Sequence, residues 1–355
     1  MTISASLRRI GAILLVLLAP VAVFAGGAAE DAEGGTEQVL RVGLRKLTTI
    51  DPALGANDPE VMFNRLQYDY LIEILPDGTL EPSLAESWDI SDDGLSYTFN
   101  LVDGVTFEDG SSFGAEDVVY TFERLVTAGS SIVALLGVDA DENPTWSVEA
   151  ADELTAVFTL DQPNADFLFG VASRFAMILS ADTPADEVNV IADGSDPYLN
   201  FNGTGPFVLD SYLPDESATF VARDDYWGPG PELDAIELIF FDDDQSQLDA
   251  FATGVLDFII KVPDDLQAAL ARVEDATVVN RPTNTHPVIR VRADDGSIGE
   301  DARIRQAFKF ATDRELINLD VLGGAGTVGN NDPIGPTYGE LYNPQDNQPF
   351  DPARA

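Results

Sequence analysis

The sequence predicts an α/β protein. Three observations carry this reading. Short segments alternate apolar and polar residues with the period of a half-buried strand. Between them lie longer segments whose apolar residues recur at helical spacing. The chain has 355 residues, 45% of them hydrophobic, which suffices for a large core.

The elements follow in chain order. Val39 to Leu44 alternates as a first strand. Leu95 to Leu101 alternates again, behind the turn Ser91-Asp92-Asp93-Gly94, and Thr155 to Leu160 forms a third strand. Ala115 to Val126 is helical, with Val118, Val119, Phe122, Leu125 and Val126 on one face and Glu116 and Asp117 in the first turn. Strands resume at Gly205 to Tyr212, Ala218 to Arg223 and Ala235 to Phe241. Helices are expected at Asp244 to Phe251 and at Leu266 to Val273. Ala302 to Ala311 places Ile304, Ala307, Phe308 and Ala311 on one face. Thr312 or Asp313 caps a further helix, which reaches Leu322 and stops at Gly323-Gly324. The Pro- and Asp-rich stretches near residues 181–200 and 293–301 are the best domain joints. Asp351-Pro352-Ala353-Arg354-Ala355 reads as the opening of a helix, with Asp as cap and Pro at the first position.

Composition excludes several functions. There is no cysteine, so disulfides, thiolate metal sites and Cys nucleophiles are absent. The 62 acidic residues (41 Asp, 21 Glu) face 16 Arg and three Lys, for a net charge of −43. Such a chain is repelled by phosphate backbones, which excludes nucleic-acid partners. The acidity is spread over an apolar-rich, globular pattern rather than a disordered tail, and reads as a surface adapted to high salt. A field that attracts cationic ligands is the alternative.

Residues 1–25 have the build of a signal peptide. Arg8 and Arg9 form a positive start, Ile10 to Phe24 is an apolar run, and Val23-Phe24-Ala25 offers a cleavage point. A retained membrane anchor is the competing reading, although the run is short for a span. No Cys follows it to carry a lipid. Residues 26–38 then form a flexible, Gly- and Ala-rich leader. The mature protein is expected outside the cytoplasm, in the periplasm or an equivalent space.

Several motifs could carry chemistry. Gly324 to Gly329 spells G-x-G-x-x-G, but a helix precedes it and a Pro-containing loop follows, the reverse of a dinucleotide site. Gly110-Ser111-Ser112-Phe113-Gly114 spells G-x-S-x-G, with Ser112 as nucleophile and His286, the sole histidine, as its base. The bland reading is a polar turn entering a helix. Asp139-Ala140-Asp141 and Asp242-Asp243-Asp244 lack the spacing of a calcium loop and read as solvated turns. Trp88, Trp146 and Trp227 are ligand platforms or core packing. No metal site or cofactor is expected.

Taken in register, other segments are more specific. They are Ile50-Asp51-Pro52-Ala53, Pro76 to Trp88, Ser91 to Phe99, Leu101 to Phe107, Asp109-Gly110 and Ala115 to Val119. Gly203-Thr204-Gly205-Pro206-Phe207, Tyr226-Trp227-Gly228 and Ile304 to Phe308 continue the series. Their order and spacing resemble the family 5 extracellular solute-binding proteins of ABC importers, the peptide/nickel/opine family, from Val39 to Ala355.

The resemblance implies a two-lobed, periplasmic-binding-protein-like fold of type II with three subdomains. Residues 39–70 and 195–296 would form a discontinuous first lobe, residues 71–194 its accessory subdomain, and residues 297–355 the start of a second lobe. Family members run longer, so most of that lobe would lie beyond Ala355. Arg292 stands where the family often has Asn. The implied function is capture of an oligopeptide or dipeptide by a monomeric, non-enzymatic receptor that delivers it to a membrane permease. Nickel chelates, opines and oligosaccharides are the alternatives within the family. An exported serine hydrolase using Ser112 and His286 is the alternative of another class. The loop Leu54 to Asp58 corresponds to a segment that approaches the ligand, which makes Gly55, Ala56, Asn57 and Asp58 the candidate binding residues.

Overall fold

The computed structural model describes residues 37–185, 188, 201–263, 266–279, 288–324, 326–329, 331, 342–343 and 348–355. The signal-peptide reading of residues 1–25, His286 and part of the Gly324–Gly329 motif lie outside these residues. In chain order the elements begin with β1 (Val39–Arg45), α1 (Asp58–Arg65), β2 (Ile72–Ile74), β3 (Leu80–Pro82), β4 (Ala85–Ile90) and β5 (Ser96–Leu101). There follow α2 (Ala115–Thr127), α3 (Val133–Leu136), β6 (Trp146–Asp152), β7 (Thr155–Leu160) and α4 (Phe167–Val171). The chain continues with β8 (Phe207–Leu213), β9 (Ser217–Ala222), β10 (Ala235–Phe241), α5 (Asp244–Ala252) and β11 (Phe258–Ile259). It closes with α6 (Gln267–Leu270), α7 (Ala302–Ala311) and α8 (Arg314–Leu322).

Two main sheets organise the chain. The first has the order β11-β1-β10-β9-β8. Its centre is parallel, with Val42 opposite Leu238 on one side and Phe258 on the other. Its other half, β10-β9-β8, is antiparallel. The inward residues Val42, Leu44, Leu209, Phe220, Leu238 and Phe240 form one core with Phe63 of α1. The Phe63 ring sits edge-on to Phe220 at 5.2 Å and to Tyr212 at 5.5 Å. Phe63 is thus the aromatic anchor of α1 on this sheet.

The second sheet is antiparallel, in the order β4-β5-β7-β6. Alternation is clean on its central strands: Tyr97, Phe99 and Leu101 of β5 and Ala156, Phe158 and Leu160 of β7 all point inward. Helix α2 lays Val118, Phe122 and Leu125 on them, with Phe122 and Phe158 in edge contact at 4.8 Å. At its start Asp117 accepts the Gly114 N–H at 2.8 Å, satisfying a donor the helix leaves free. Trp146 belongs to this core, packed on Phe122 and Phe158.

Three expectations need correction. Of the helix expected at Leu266 to Val273, only Gln267–Leu270 is helical. On α7 the buried residue is Phe310, whose carbonyl accepts the Asp351 N–H and whose ring lies under the Arg354 guanidinium at 4.2 Å; Phe308 is 45% exposed. The apolar face is thus rotated from the one the spacing implied. Asp351 does act as a cap, its side chain accepting the Arg354 N–H at 3.1 Å, but Pro352 to Arg354 form a single turn closed on the Asp351 carbonyl and not a helix. Helix α8 matches its reading: Asp313 accepts the Leu316 N–H at 3.0 Å, and Gly323 ends it in the left-handed conformation at φ +58°. Among the described residues no helix is long and apolar enough to cross a membrane.

Candidate ligand-binding loop at the junction of the sheets

Residues 48–65 leave the first sheet, touch the layer of the second through Asp51 and Ala53, and return to the first with α1. Their shape is fixed by two buried or half-buried carboxylates. Asp51 accepts the Ala53 N–H at 2.9 Å, while its carbonyl accepts the N–H groups of Leu54 and Gly55 at 3.1 and 2.9 Å. The same carboxylate receives Nη1 and Nη2 of Arg124 at 2.9 and 2.7 Å, a fork between the loop and α2. Glu60, three residues into α1, reaches back to the N–H groups of Ala56 at 3.0 Å and Asn57 at 2.9 Å. It also accepts the Thr48 N–H at 3.1 Å and the Thr48 hydroxyl. Burial opposes its ionisation, yet the hydrogen bonds from Thr48 and Asn57 together outweigh burial and hold its pKa below the ordinary value.

The four candidate residues therefore stand together, with the backbone N–H groups of Gly55, Ala56 and Asn57 pinned. Gly55 is buried, whereas Ala56, Asn57 and Asp58 face solvent. Asn57 caps α1 and Asp58 opens it, so Asp58 is the first residue of a helix rather than the end of a loop. Arg174, contributed by the chain beyond α4, donates Nη1 to the Ala56 carbonyl at 2.8 Å. Sequence reading had missed Glu60, Arg124 and Arg174. Only Glu60 left a signal, as the acidic residue three positions after the Asn57 cap.

A third carboxylate, also buried, completes the junction. Asp69 accepts Trp227 Nε1–H at 2.9 Å, the Thr204 hydroxyl at 3.0 Å and the Tyr226 hydroxyl at 3.2 Å. Burial pushes its pKa up, against the pull of these three donors. Burial and the neighbouring Asp69 push the Tyr226 hydroxyl up as well. Gly203 and Gly205 let this segment lie on residue 67. A Cβ on Gly203 would stand 1.9 Å from the Gln67 carbonyl oxygen, and one on Gly205 2.5 Å from the Gln67 carbonyl carbon. Arg223 reaches across to the Phe107 carbonyl and the Thr106 hydroxyl, both at 2.9 Å. The segments 50–53, 203–207 and 226–228, singled out in the sequence, are thus staples of this junction.

The other candidates fall elsewhere. Ser112 pairs in a short antiparallel bridge with Thr106 and is not among the residues with positive φ, so it does not have the strained turn of a nucleophile elbow. It lines a pocket of about 250 Å³ with Glu116, Asp117, Glu153 and Asp182, none of which supplies an imidazole. Asp139 is consumed by the N–H groups of Asp141 and Asn143, both at 2.9 Å. Asp243 caps α5 and Asp242 pairs with Lys46 at 2.8 Å. Among the described residues no three His, Cys, Asp or Glu side chains are grouped to hold a metal. Trp88 packs on the second core, and Trp227 is held by Asp69.

Comparison with known proteins bears on this junction. The sequence profile of the bacterial extracellular solute-binding proteins, family 5 (Middle), matches residues 79–355. Heme-binding protein A of Haemophilus influenzae is 30% identical over 315 residues, which is 81% of this chain and 55% of the relative. The dipeptide-binding protein of Escherichia coli is 30% identical over 307 residues, 81% and 56% of the two chains. The chain thus spans about half the length of the curated relatives it matches. Among solved structures, the periplasmic binding protein DppA of Helicobacter pylori in complex with the peptide STSA superposes with a TM-score of 0.61 at 25% identity, over 81% of this chain and 59% of that one. NikA of Brucella suis in complex with Fe(III)-EDTA gives 0.68 at 21% identity, over 90% and 63%. The fold is that of the two-lobed periplasmic binding proteins.

Two measurements test the junction. Arg124→Ala leaves the Asp51 carboxylate largely buried without its partner and should cost about 3–5 kcal/mol in urea unfolding; a loss below about 1 kcal/mol, the range of exposed pairs, would show the pair to be superficial. The second concerns pH. The folded pKa of Asp69 lies above its ordinary 3.8, so between the two values the folded chain holds the extra proton and stability falls as pH rises. The stability of the wild type relative to Asp69→Asn should fall as pH is raised from 3.8 through that window, then level off. A relative stability that rises instead would mean that the three donors outweigh burial.

Proposed function

The chain belongs to the family 5 bacterial extracellular solute-binding proteins, and from that premise we propose that it is the extracytoplasmic receptor of an ABC importer for di- or oligopeptides. The observation that carries the reading is the 30% identity to a dipeptide-binding protein over 81% of this chain. The loop supports it. Ala56 and Asn57 have their N–H groups committed to Glu60, so the wall is rigid before ligand arrives. With these main-chain groups engaged, the exposed side chains of Asn57 and Asp58 are the groups of this loop that can meet an extended peptide, whose own main chain offers donors and acceptors. Residues Gly55 to Asp58 are the proposed first-lobe contacts.

The mechanism is a shift between open and closed lobes. A solute favours closure only by the contacts it makes in the closed state and lacks in the open one. The receptor acts as a monomer, carries no catalytic residue, and hands its solute to a membrane permease. Residues 1–25 direct its export, and residues 39–70 with 195–296 form the first lobe around the accessory subdomain 71–194. Heme is a second reading, favoured by the equal identity to heme-binding protein A.

Calorimetric titration with di- and tripeptides should give saturable binding of one peptide per chain, with a smaller radius of gyration by X-ray scattering. Heme uptake with no peptide heat would replace the peptide reading by the second one. The charge of −43 adds a separate expectation. Screening shortens to about 3 Å at ~1 M salt, so self-repulsion fades there. The thermal midpoint should rise from about 0.1 M to about 2 M potassium chloride, and a midpoint that is flat or falls would refute the high-salt surface.

A further inference from the structure

We propose that Asn202-Gly203 is a deamidation site gated by the junction. It is protected while the turn at residues 107–111 is docked on it, reacts when that turn lifts, and becomes a carboxylate that keeps the turn from docking again. The inference goes beyond the peptide reading and does not depend on which solute the chain binds.

Asn202 is the one asparagine of the chain that is followed by glycine. In deamidation the backbone nitrogen of the next residue attacks the side-chain amide carbon. The new C–N bond closes a five-membered succinimide, the amide C–N bond breaks, and ammonia leaves. Water then opens the ring at either carbonyl. The product is aspartate or, with one extra carbon in the main chain, isoaspartate. Glycine favours the attack because no Cβ hinders it. Among the described residues the Gly203 N–H has no acceptor, so no hydrogen bond competes for that nitrogen. Asn202 is half-buried and within reach of water.

The docked turn withholds the reaction. Asn202 Oδ1 accepts the Asp109 N–H at 3.1 Å, and the Gly203 carbonyl accepts the Glu108 N–H at 3.0 Å. Ring closure has to rotate the Asn202 side chain against the Gly203 main chain, and both are anchored on this one turn. Arg223 closes the contact through the Phe107 carbonyl and the Thr106 hydroxyl, both at 2.9 Å, and the Gly203 carbonyl at 3.4 Å. Yet Glu108, Asp109 and Gly110 at the tip are exposed. A clamp with so little buried surface opens locally, well below the cost of global unfolding.

The product does not fit. Burial opposes ionisation of Asp109, and hydrogen bonds from Ser111 and the Asn202 amide, with the charge of Arg223, outweigh it. An aspartate at 202 replaces that amide donor by a second negative charge. The cation at hand is Arg223, already paired with Asp225 at 2.7 Å, and Glu108 adjoins on the same turn. Isoaspartate lengthens the main chain where there is no room for it: a single Cβ on Gly203 would stand 1.9 Å from the Gln67 carbonyl oxygen.

The test incubates the purified full chain at mildly alkaline pH, with and without guanidinium chloride, and maps the gain of one mass unit by peptide mass spectrometry. In denaturant Asn202 should convert ahead of every other asparagine. In the native protein it should convert at least about tenfold more slowly, the scale of a modest local opening. Arg223→Ala should raise the native rate toward the denatured one. Asn202→Asp should speed amide exchange at Glu108 and Asp109 and lower the thermal midpoint. Failure of Asn202 to lead in denaturant overturns the site. A native rate equal to the denatured one overturns the gate, as does a folded Arg223→Ala with the wild-type rate. Wild-type exchange and midpoint in Asn202→Asp overturn the latch. All but one of these outcomes can be read even if Arg223→Ala fails to fold.

Discussion

The forked ion pair between Asp51 and Arg124 is the constraint on which the rest of the structure depends. It joins the segment that leaves the first sheet to the helix that covers the second, across 73 residues of sequence. Taking two charges out of water costs several kcal/mol for each, so a pair of this kind persists only where its geometry is good and its spare atoms are engaged. On the Asp51 side the condition is met, since the carboxylate also accepts the Ala53 N–H and the Asp51 carbonyl holds Leu54 and Gly55, whereas Arg124 Nε is buried without a hydrogen-bond partner. One residue thereby sets the turn, the docking of the second sheet and the direction in which the loop departs. Asp69 and Arg223 repeat the device, and both tie the region around residues 203–227 back to earlier parts of the chain.

This explains what the sequence made legible. Strands β5 and β7 could be read because one face of each is buried and the other is not, which is the condition for strict alternation. Edge strand β4 has mostly exposed residues and gave no pattern. Helix α1 was hidden because its buried residues include Glu60 and Asn64, polar groups whose burial depends on partners that no periodicity reports. The rotated face of α7 has a similar cause: Phe310 is covered by Arg354, a contact that spacing within the helix cannot supply.

The candidate site divides along the same line. The position of Gly55 to Asp58 came from resemblance, since the residues themselves read as an ordinary surface loop. Glu60 was within reach of local reasoning, because a cap followed three residues later by an acid is a local pattern. Arg124, Asp69 and Arg174 were not, since their partners lie 73 to 158 residues away. The segments that carried the resemblance, Gly203-Thr204-Gly205 and Tyr226-Trp227, hold the junction together rather than display chemistry. Shared motifs of this kind report a fold, and they are silent on which solute the fold receives.

Rigidity at the junction and selectivity at the loop are then parts of one argument. A hinged receptor responds to its solute only by as much as the closed state binds it better than the open one. A wall that yielded on contact would dissipate that difference in its own rearrangement. Here Glu60 spends its hydrogen bonds on the loop before α1, Asp51 ties that loop to α2, and Asp69 holds Thr204, Tyr226 and Trp227. The side chains of Asn57 and Asp58 are left facing solvent on the loop so held.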